Sequence, residues 1–101
     1  MPEEITKRIE LNAKVIKALA HPTRLFIVEE LSKTEQCVCD LTAMTGFDIS
    51  TVSKHLSILK EVGIVSSDKR GLNIFYQLKT PCILNFLSCV ENVVKTNYQV
   101  K

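Results

Sequence analysis

GFDISTVSKHLSILKEVGIVSSDKRGLNIFYQL, residues 46–78, changes its hydrophobic period halfway along. In its first part Ile49, Val52, Leu56 and Leu59 recur at spacings of three, four and three, the stripe of an amphipathic helix over 49–61. At ~100° per residue, Ser50, Thr51, Lys54 and Ser57 fall on the opposite side, a face of short polar and basic groups. Beyond Gly63 the pattern becomes Ile64-Val65-Ser66-Ser67, then Asp68-Lys69-Arg70-Gly71, then Leu72 to Leu78. That order reads as strand, turn and strand with a basic tip. Just upstream, residues 39–45 read as a short helix closed by Gly46, with Asp40 in the first turn, where the helix dipole favours a negative charge. Two helices joined by Gly46-Phe47-Asp48 make a helix-turn-helix over about 39–61, and the hairpin over about 64–78 turns it into a winged helix.

The rest of the chain frames this unit. Residues 3–20 show Ile5, Ile9, Ala13, Ile16 and Leu19 at helical spacing; His21-Pro22 ends that helix and opens another, with Leu25, Val28 and Leu31 on one face. After Pro81 a last helix, about 80–98, carries Ile83, Leu84, Phe86, Leu87, Val90, Val93 and Val94, apolar on too many sides for one docking face. A second subunit is the expected cover, so the chain is read as dimerising through its first and last helices. The fold class is mainly α with a small β-hairpin, and 101 residues make a single domain, 1–101.

Composition narrows the function. A chain that is 46% hydrophobic and 24% charged, with three Gly and three Pro, is globular rather than disordered. No apolar run approaches the ~18–20 residues that span a bilayer, and Met1-Pro2-Glu3-Glu4 lacks the order of a secretory signal, so the expected place is the cytoplasm, with no membrane partner. Residues 1–48 carry six basic and eight acidic groups, 49–80 five and two, and 81–101 two and one. The basic part is therefore the winged-helix segment, which suits a polyanion. No nucleophile with a partnered base, phosphate-binding Gly loop or paired carboxylates stand out, so no enzyme is expected.

Ser50, Thr51, Ser53, Lys54 and His55 are the candidate groups for base edges and phosphates in a major groove. Lys69, Arg70 and Tyr76 are the candidates on the wing for flanking backbone or minor groove. His55 lies near the edge of the apolar stripe, where packing competes with DNA contact, and His21 reads as a helix-start residue. A two-fold dimer would read half-sites about one turn apart.

The four cysteines fall where a reducing compartment favours metal binding or redox sensing over structural disulfides. Cys37 and Cys39 would point ~200° apart in a regular helix, so sharing an ion requires a helix start or an extended stretch. Their place at the opening of the third helix meets that condition, and a helix N-terminus favours the thiolate that binds soft ions. Cys82 and Cys89, seven residues apart, lie about 10.5 Å apart along a helix and cannot hold one ion together within a chain.

Four stretches resemble the ArsR/SmtB family of metal-sensing winged-helix repressors, over about residues 13–90: Ala18-Leu19-Ala20-His21-Pro22-Thr23-Arg24-Leu25, Cys37-Val38-Cys39-Asp40-Leu41, Ser50-Thr51-Val52-Ser53-Lys54-His55-Leu56 and Leu59-Lys60-Glu61-Val62-Gly63-Ile64-Val65. The resemblance implies a homodimer that binds double-stranded operator DNA and is released by a metal(loid) inducer. It sets C-V-C-D-L at the family's metal box, where the arsenic-sensing branch adds a third Cys; this chain has Leu41-Thr42-Ala43 there. The cadmium and lead branch draws thiols from its N-terminal arm, and residues 1–36 hold none. Of the family's zinc positions around the last helix, only Cys82 matches, with Thr80, Val93 and Thr96 at the others.

In the family the stretch before the third helix lies beside the second wing strand, which Cys82 closely follows. The resemblance thus implies a site of Cys37, Cys39 and Cys82 for As(III) or a soft divalent ion such as Cd, Pb or Zn. Cys89 falls to the dimer interface, with ligation as its alternative. Two further readings remain: a thiol-based redox or persulfide-sensing repressor of the same family, and a winged-helix protein-interaction module without a ligand switch.

Overall fold

The computed structural model describes residues 1–98. Its order is α1 (Glu3–Leu19), α2 (Pro22–Leu31), β1 (Gln36–Cys37), α3 (Val38–Thr45), α4 (Ile49–Glu61), β2 (Val65–Arg70), β3 (Asn73–Leu78) and α5 (Ile83–Tyr98). The winged helix read from the sequence is present. As the family resemblance implied for the stretch before the third helix, β1 lies beside the second wing strand, and it makes the hairpin a three-stranded antiparallel sheet ordered β1-β3-β2, with Gln36 opposite Tyr76 and Cys37 opposite Phe75. Two residues are too few to show a period, so β1 is set by its partner strand rather than by its own pattern.

Burial explains the helix arrangement. Val52, Leu56 and Leu59 of α4 are fully buried, against Ile27 and Val28 of α2, Leu41 of α3 and Ile64 and Val65 at the start of the wing. Ile49, expected in the same stripe, stays 60% exposed because it opens the helix one turn outside that core. Gly46 takes the left-handed conformation (φ 76°) and its N–H closes α3 on the Thr42 carbonyl, so the chain reverses into α4 within three residues.

The hairpin turn is tighter than the sequence suggested. Arg70 pairs directly with Asn73, leaving Gly71-Leu72 as a two-residue loop with Gly71 at φ 62°. Asp68, Lys69 and Arg70, expected in the turn, are strand residues. The positive φ needed at the first loop position selects Gly71, which pushes the three charged residues into the ladder.

α1 and α5 are thinly covered. Only Ala18 and Leu19 of α1 are buried, and α5 has no buried residue. Ile5, Ile9, Ile16, Phe86, Val90, Val93 and Val94 are exposed, and Ile16, Leu25, Phe86, Leu87 and Val90 line a shared apolar groove.

Candidate nucleic-acid interface and thiol site

α4 begins on Asp48, whose carboxylate accepts from the Thr51 N–H (2.8 Å) and the Ser50 hydroxyl (3.0 Å). Hydrogen bonds from Thr51, then from Ser50, with Lys54 nearby, hold this carboxyl below its ordinary range, so the cap stays charged at neutral pH. The cap fixes the direction of the helix start, leaving Ser50 and Lys54 exposed and Thr51 and Ser53 half-buried. These four are presented together on the first turns of α4, the arrangement by which a recognition helix reads a groove.

At His55, where packing competes with DNA contact, the structure shows packing contacts. Its Nδ1 lies 3.0 Å from a terminal guanidinium nitrogen of Arg24, and its ring packs 4.5 Å from that of His21. Arg is donor-only, so His55 accepts at Nδ1 and carries its proton on Nε2. Arg24 also donates to the Ala18 carbonyl at 2.6 Å, tying the end of α1 and the start of α2 to α4. His21 is the N-cap of α2, accepting from the Thr23 N–H at 3.1 Å, as its place before Pro22 suggested. His55 is thus engaged with the fold's own residues because α4 turns this side toward α2.

Burial first, then His21 and Arg24, push the His55 pKa down. A base with a lowered folded pKa contributes stability that is full above its unfolded value, ~6.5, and lost as pH falls through the folded one. Thermal melts should therefore show a falling midpoint between about pH 7 and 5 that flattens in His55→Phe. Equal acid slopes in the two proteins would remove His55 from this role.

On the wing, Tyr76 was expected to face DNA, but the residue is 8% exposed and belongs to the core. Strand alternation is the reason: it shares a sheet face with Val65 and Leu78, and that face packs inward. Lys69 is exposed. Arg70 is held by both carboxylates near it. Its terminal nitrogens grip Glu35 in a two-pronged pair, one prong at 2.9 Å, its Nε donates to Asp68 at 2.9 Å, and its guanidinium lies 4.7 Å from the Phe75 ring centre. Gln77 donates to the same Glu35 at 2.8 Å. Hydrogen bonds from Arg70, then Gln77, hold the Glu35 carboxyl down at about 2. Glu35 and its wing partners are far apart in sequence, so no spacing signalled them.

Cys37 is the N-cap of α3. Its sulfur accepts from the Asp40 N–H and the Asp40 carboxylate accepts from the Cys37 N–H, both at 3.2 Å, a capping box with cysteine where serine or threonine is usual. The helix therefore starts at Val38, one residue before the expected 39, and the order Cys-x-x-Asp was the signal for it. Cys37 is 4% exposed, Cys39 is exposed, and the two are joined by a disulfide across a Cα separation of 5.2 Å. The Cys37 and Cys39 sulfurs and an Asp40 oxygen lie within 4.8 Å of one another. Cys82, exposed ahead of α5, does not join this group within one chain, and Cys89 is exposed on α5. Two thiolates and a carboxylate are donors that suit a soft or borderline ion once the disulfide is reduced.

Residues 21–67 match the family described as "Bacterial regulatory protein, arsR family". Nodulation protein NolR of Rhizobium meliloti is 30% identical over 93 residues, covering 92% of this chain and 76% of that protein. The cadmium resistance transcriptional regulatory protein CadC of Listeria innocua is 39% identical over 77 residues, 75% of this chain and 65% of that protein. Among solved structures, a homodimeric winged helix-turn-helix DNA-binding domain from Mycobacterium bovis, described as a possible ArsR-family regulator, superposes with a TM-score of 0.81 at 26% identity, covering 96% of this chain and 90% of that one. No helix among the described residues is long and apolar enough to cross a membrane.

Proposed function

Because the chain belongs to the arsR family of bacterial regulatory proteins, we propose that it is a homodimeric, cytoplasmic repressor that leaves its operator when a thiophilic ion occupies the Cys37 and Cys39 thiolates. The observation that carries the switch is the position of the thiols. Cys37 caps the first helix of the helix-turn-helix, so its chemical state bears on the element that supports α4. As(III) or a soft divalent ion would be held by Cys37 and Cys39, with Asp40 as third donor within one chain and Cys82 as the donor the family resemblance suggests. Bound there, it would supply the thiophilic centre that takes up both thiolates. Asp40 has two carboxylate oxygens, so one would hold the ion while Oδ2 keeps its bond from the Cys37 N–H, which would tie the ion to the cap of α3.

DNA is read by Ser50, Thr51, Ser53 and Lys54 from the groove, with Lys69 on the wing. The uncovered apolar surfaces of α1 and α5 form the dimer, which sets the spacing of the two α4 helices. Coupling of ~1–3 kcal/mol between inducer and operator corresponds to a 5- to 150-fold change in DNA affinity, and it acts equally in reverse.

The Cys37–Cys39 disulfide favours a second reading, a redox sensor at the same place. In that case the two thiols give up two electrons and two protons to a peroxide, which becomes water, and the new S–S bond replaces the ion.

Fluorescence anisotropy on DNA upstream of the protein's own gene tests both. The reduced protein is expected to bind, and As(III), Cd(II) or Zn(II) to release it with recovery on adding chelator. Release by peroxide or a polysulfide donor alone, with recovery by reductant, selects the redox reading. Operator affinity unchanged by every addition would exclude a switch at these thiols.

A further inference from the structure

The face of the sheet that carries Asp68, Arg70, Phe75 and Gln77 also carries the end of β1, because Cys37 lies opposite Phe75 and Asp68 lies opposite Phe75 from the other side. Glu35, immediately before β1, reaches across β3 to grip Arg70. Every nitrogen of the Arg70 guanidinium is thereby occupied by a carboxylate: both terminal nitrogens by Glu35 and Nε by Asp68. One cation faces two anions, so this part of the wing presents a net negative charge where DNA phosphates would approach. A guanidinium can clasp a phosphate with two parallel N–H bonds, but these are the donors Glu35 holds.

We propose that Glu35 is a positioning residue that withholds Arg70 from DNA, so that the wing gains its second phosphate contact only when the Glu35–Arg70 clasp opens. The proposal rests on the reading that the wing meets DNA. Cys37 ends β1, fixed by its capping bonds and its bond to Cys39, and Glu35 stands immediately before that strand, so β1 places the carboxylate that holds Arg70. Salt is the lever that reads the clasp. Each phosphate neutralised by a protein cation steepens the dependence of log affinity on log salt by about 0.9. The loss of an ordinary structural contact does not steepen it.

The test uses the full chain, reduced, with two fluorescent duplexes: the DNA upstream of the gene and an unrelated sequence of equal length. Affinity is followed from about 50 to 300 mM salt. Glu35→Gln is expected to bind both duplexes several-fold more tightly at low salt, with a slope steeper by about 0.9 per clasp, about 1.8 for a dimer. Arg70→Ala placed on Glu35→Gln should return the slope to the wild-type value, while Arg70→Ala alone leaves it unchanged. The proposal is overturned if Glu35→Gln keeps the wild-type slope, or if Arg70→Ala alone flattens it, since Arg70 would then already touch DNA. Thermal melts of each variant check that the fold is kept, and Asp68→Asn gives a second way to loosen Arg70 should Glu35→Gln melt early. Wild-type protein that binds neither duplex would remove the DNA-binding reading itself, and the proposal with it.

Discussion

Val93→Glu on α5 is expected to convert the protein from dimer to monomer and to lower operator affinity by about a thousandfold, toward the non-specific level. The side chain is 55% exposed in the single chain, so the substitution costs the monomer's fold little. In a two-fold interface the same residue appears on both sides, and each copy would place an unpaired carboxylate against apolar surface. Ile5, Ile9 and Ile16 of α1 and Phe86, Val90 and Val94 of α5 are exposed as well, and Ile16, Phe86 and Val90 line one apolar groove. An apolar area of this extent on a monomer marks an interaction site. Binding of a palindrome requires both α4 helices at once, so loss of the dimer removes half of the base contacts in addition to the geometry. Sedimentation at micromolar concentration gives the oligomeric state, a melt shows that the fold is kept, and anisotropy gives the affinity. A Val93→Glu protein that still sediments as a dimer would move the interface away from α5.

The parts of this fold that were legible in the sequence are those with a period long enough to count. The α4 stripe predicted its buried face because Val52, Leu56 and Leu59 all point at one core, and the glycines at 46 and 71 marked turns that only a positive φ could make. His21 was legible as a helix start because Pro22 follows it. What was hidden depends on contacts between distant residues. The Glu35–Arg70 clasp joins residues 35 positions apart, and His55 is turned toward Arg24, 31 positions away; β1, which acquires its structure from β3, was legible through the family resemblance and not through its own pattern. Tyr76 was misplaced for a local reason: alternation says that neighbours face opposite ways, yet the choice of inner face belongs to the sheet's packing. The pair of sulfurs was legible, and the carboxylate that lies beside them was not. Asp40 looked like a residue that complements the helix dipole, and it does so, but the capping box also carries its carboxylate to the cysteines.

Cys37 combines two roles that substitution can separate. Cys37→Ser keeps an N-cap acceptor for the Asp40 N–H, so it should melt close to wild type, whereas Cys37→Ala loses the cap and about 1 kcal/mol of stability. Cys39→Ser touches no cap and should leave the melt unchanged. All three should lose the response to inducer, because neither an ion bridge nor a disulfide forms on a single sulfur of the pair. The expected loss is the whole switch, the 5- to 150-fold drop in DNA affinity, while binding by the reduced protein stays within about threefold of wild type in the two serine variants. Cys82→Ser divides the ligand sets: retained response points to Asp40 as the third donor, and a lost metal response with a retained oxidant response assigns Cys82 to the ion. Asp40→Asn is the complement, since it keeps an oxygen for the Cys37 N–H but removes the charge from the group. A Cys37→Ser protein that is still released by As(III), Cd(II) or Zn(II) with wild-type affinity would place the sensor elsewhere, on the exposed thiols of Cys82 and Cys89.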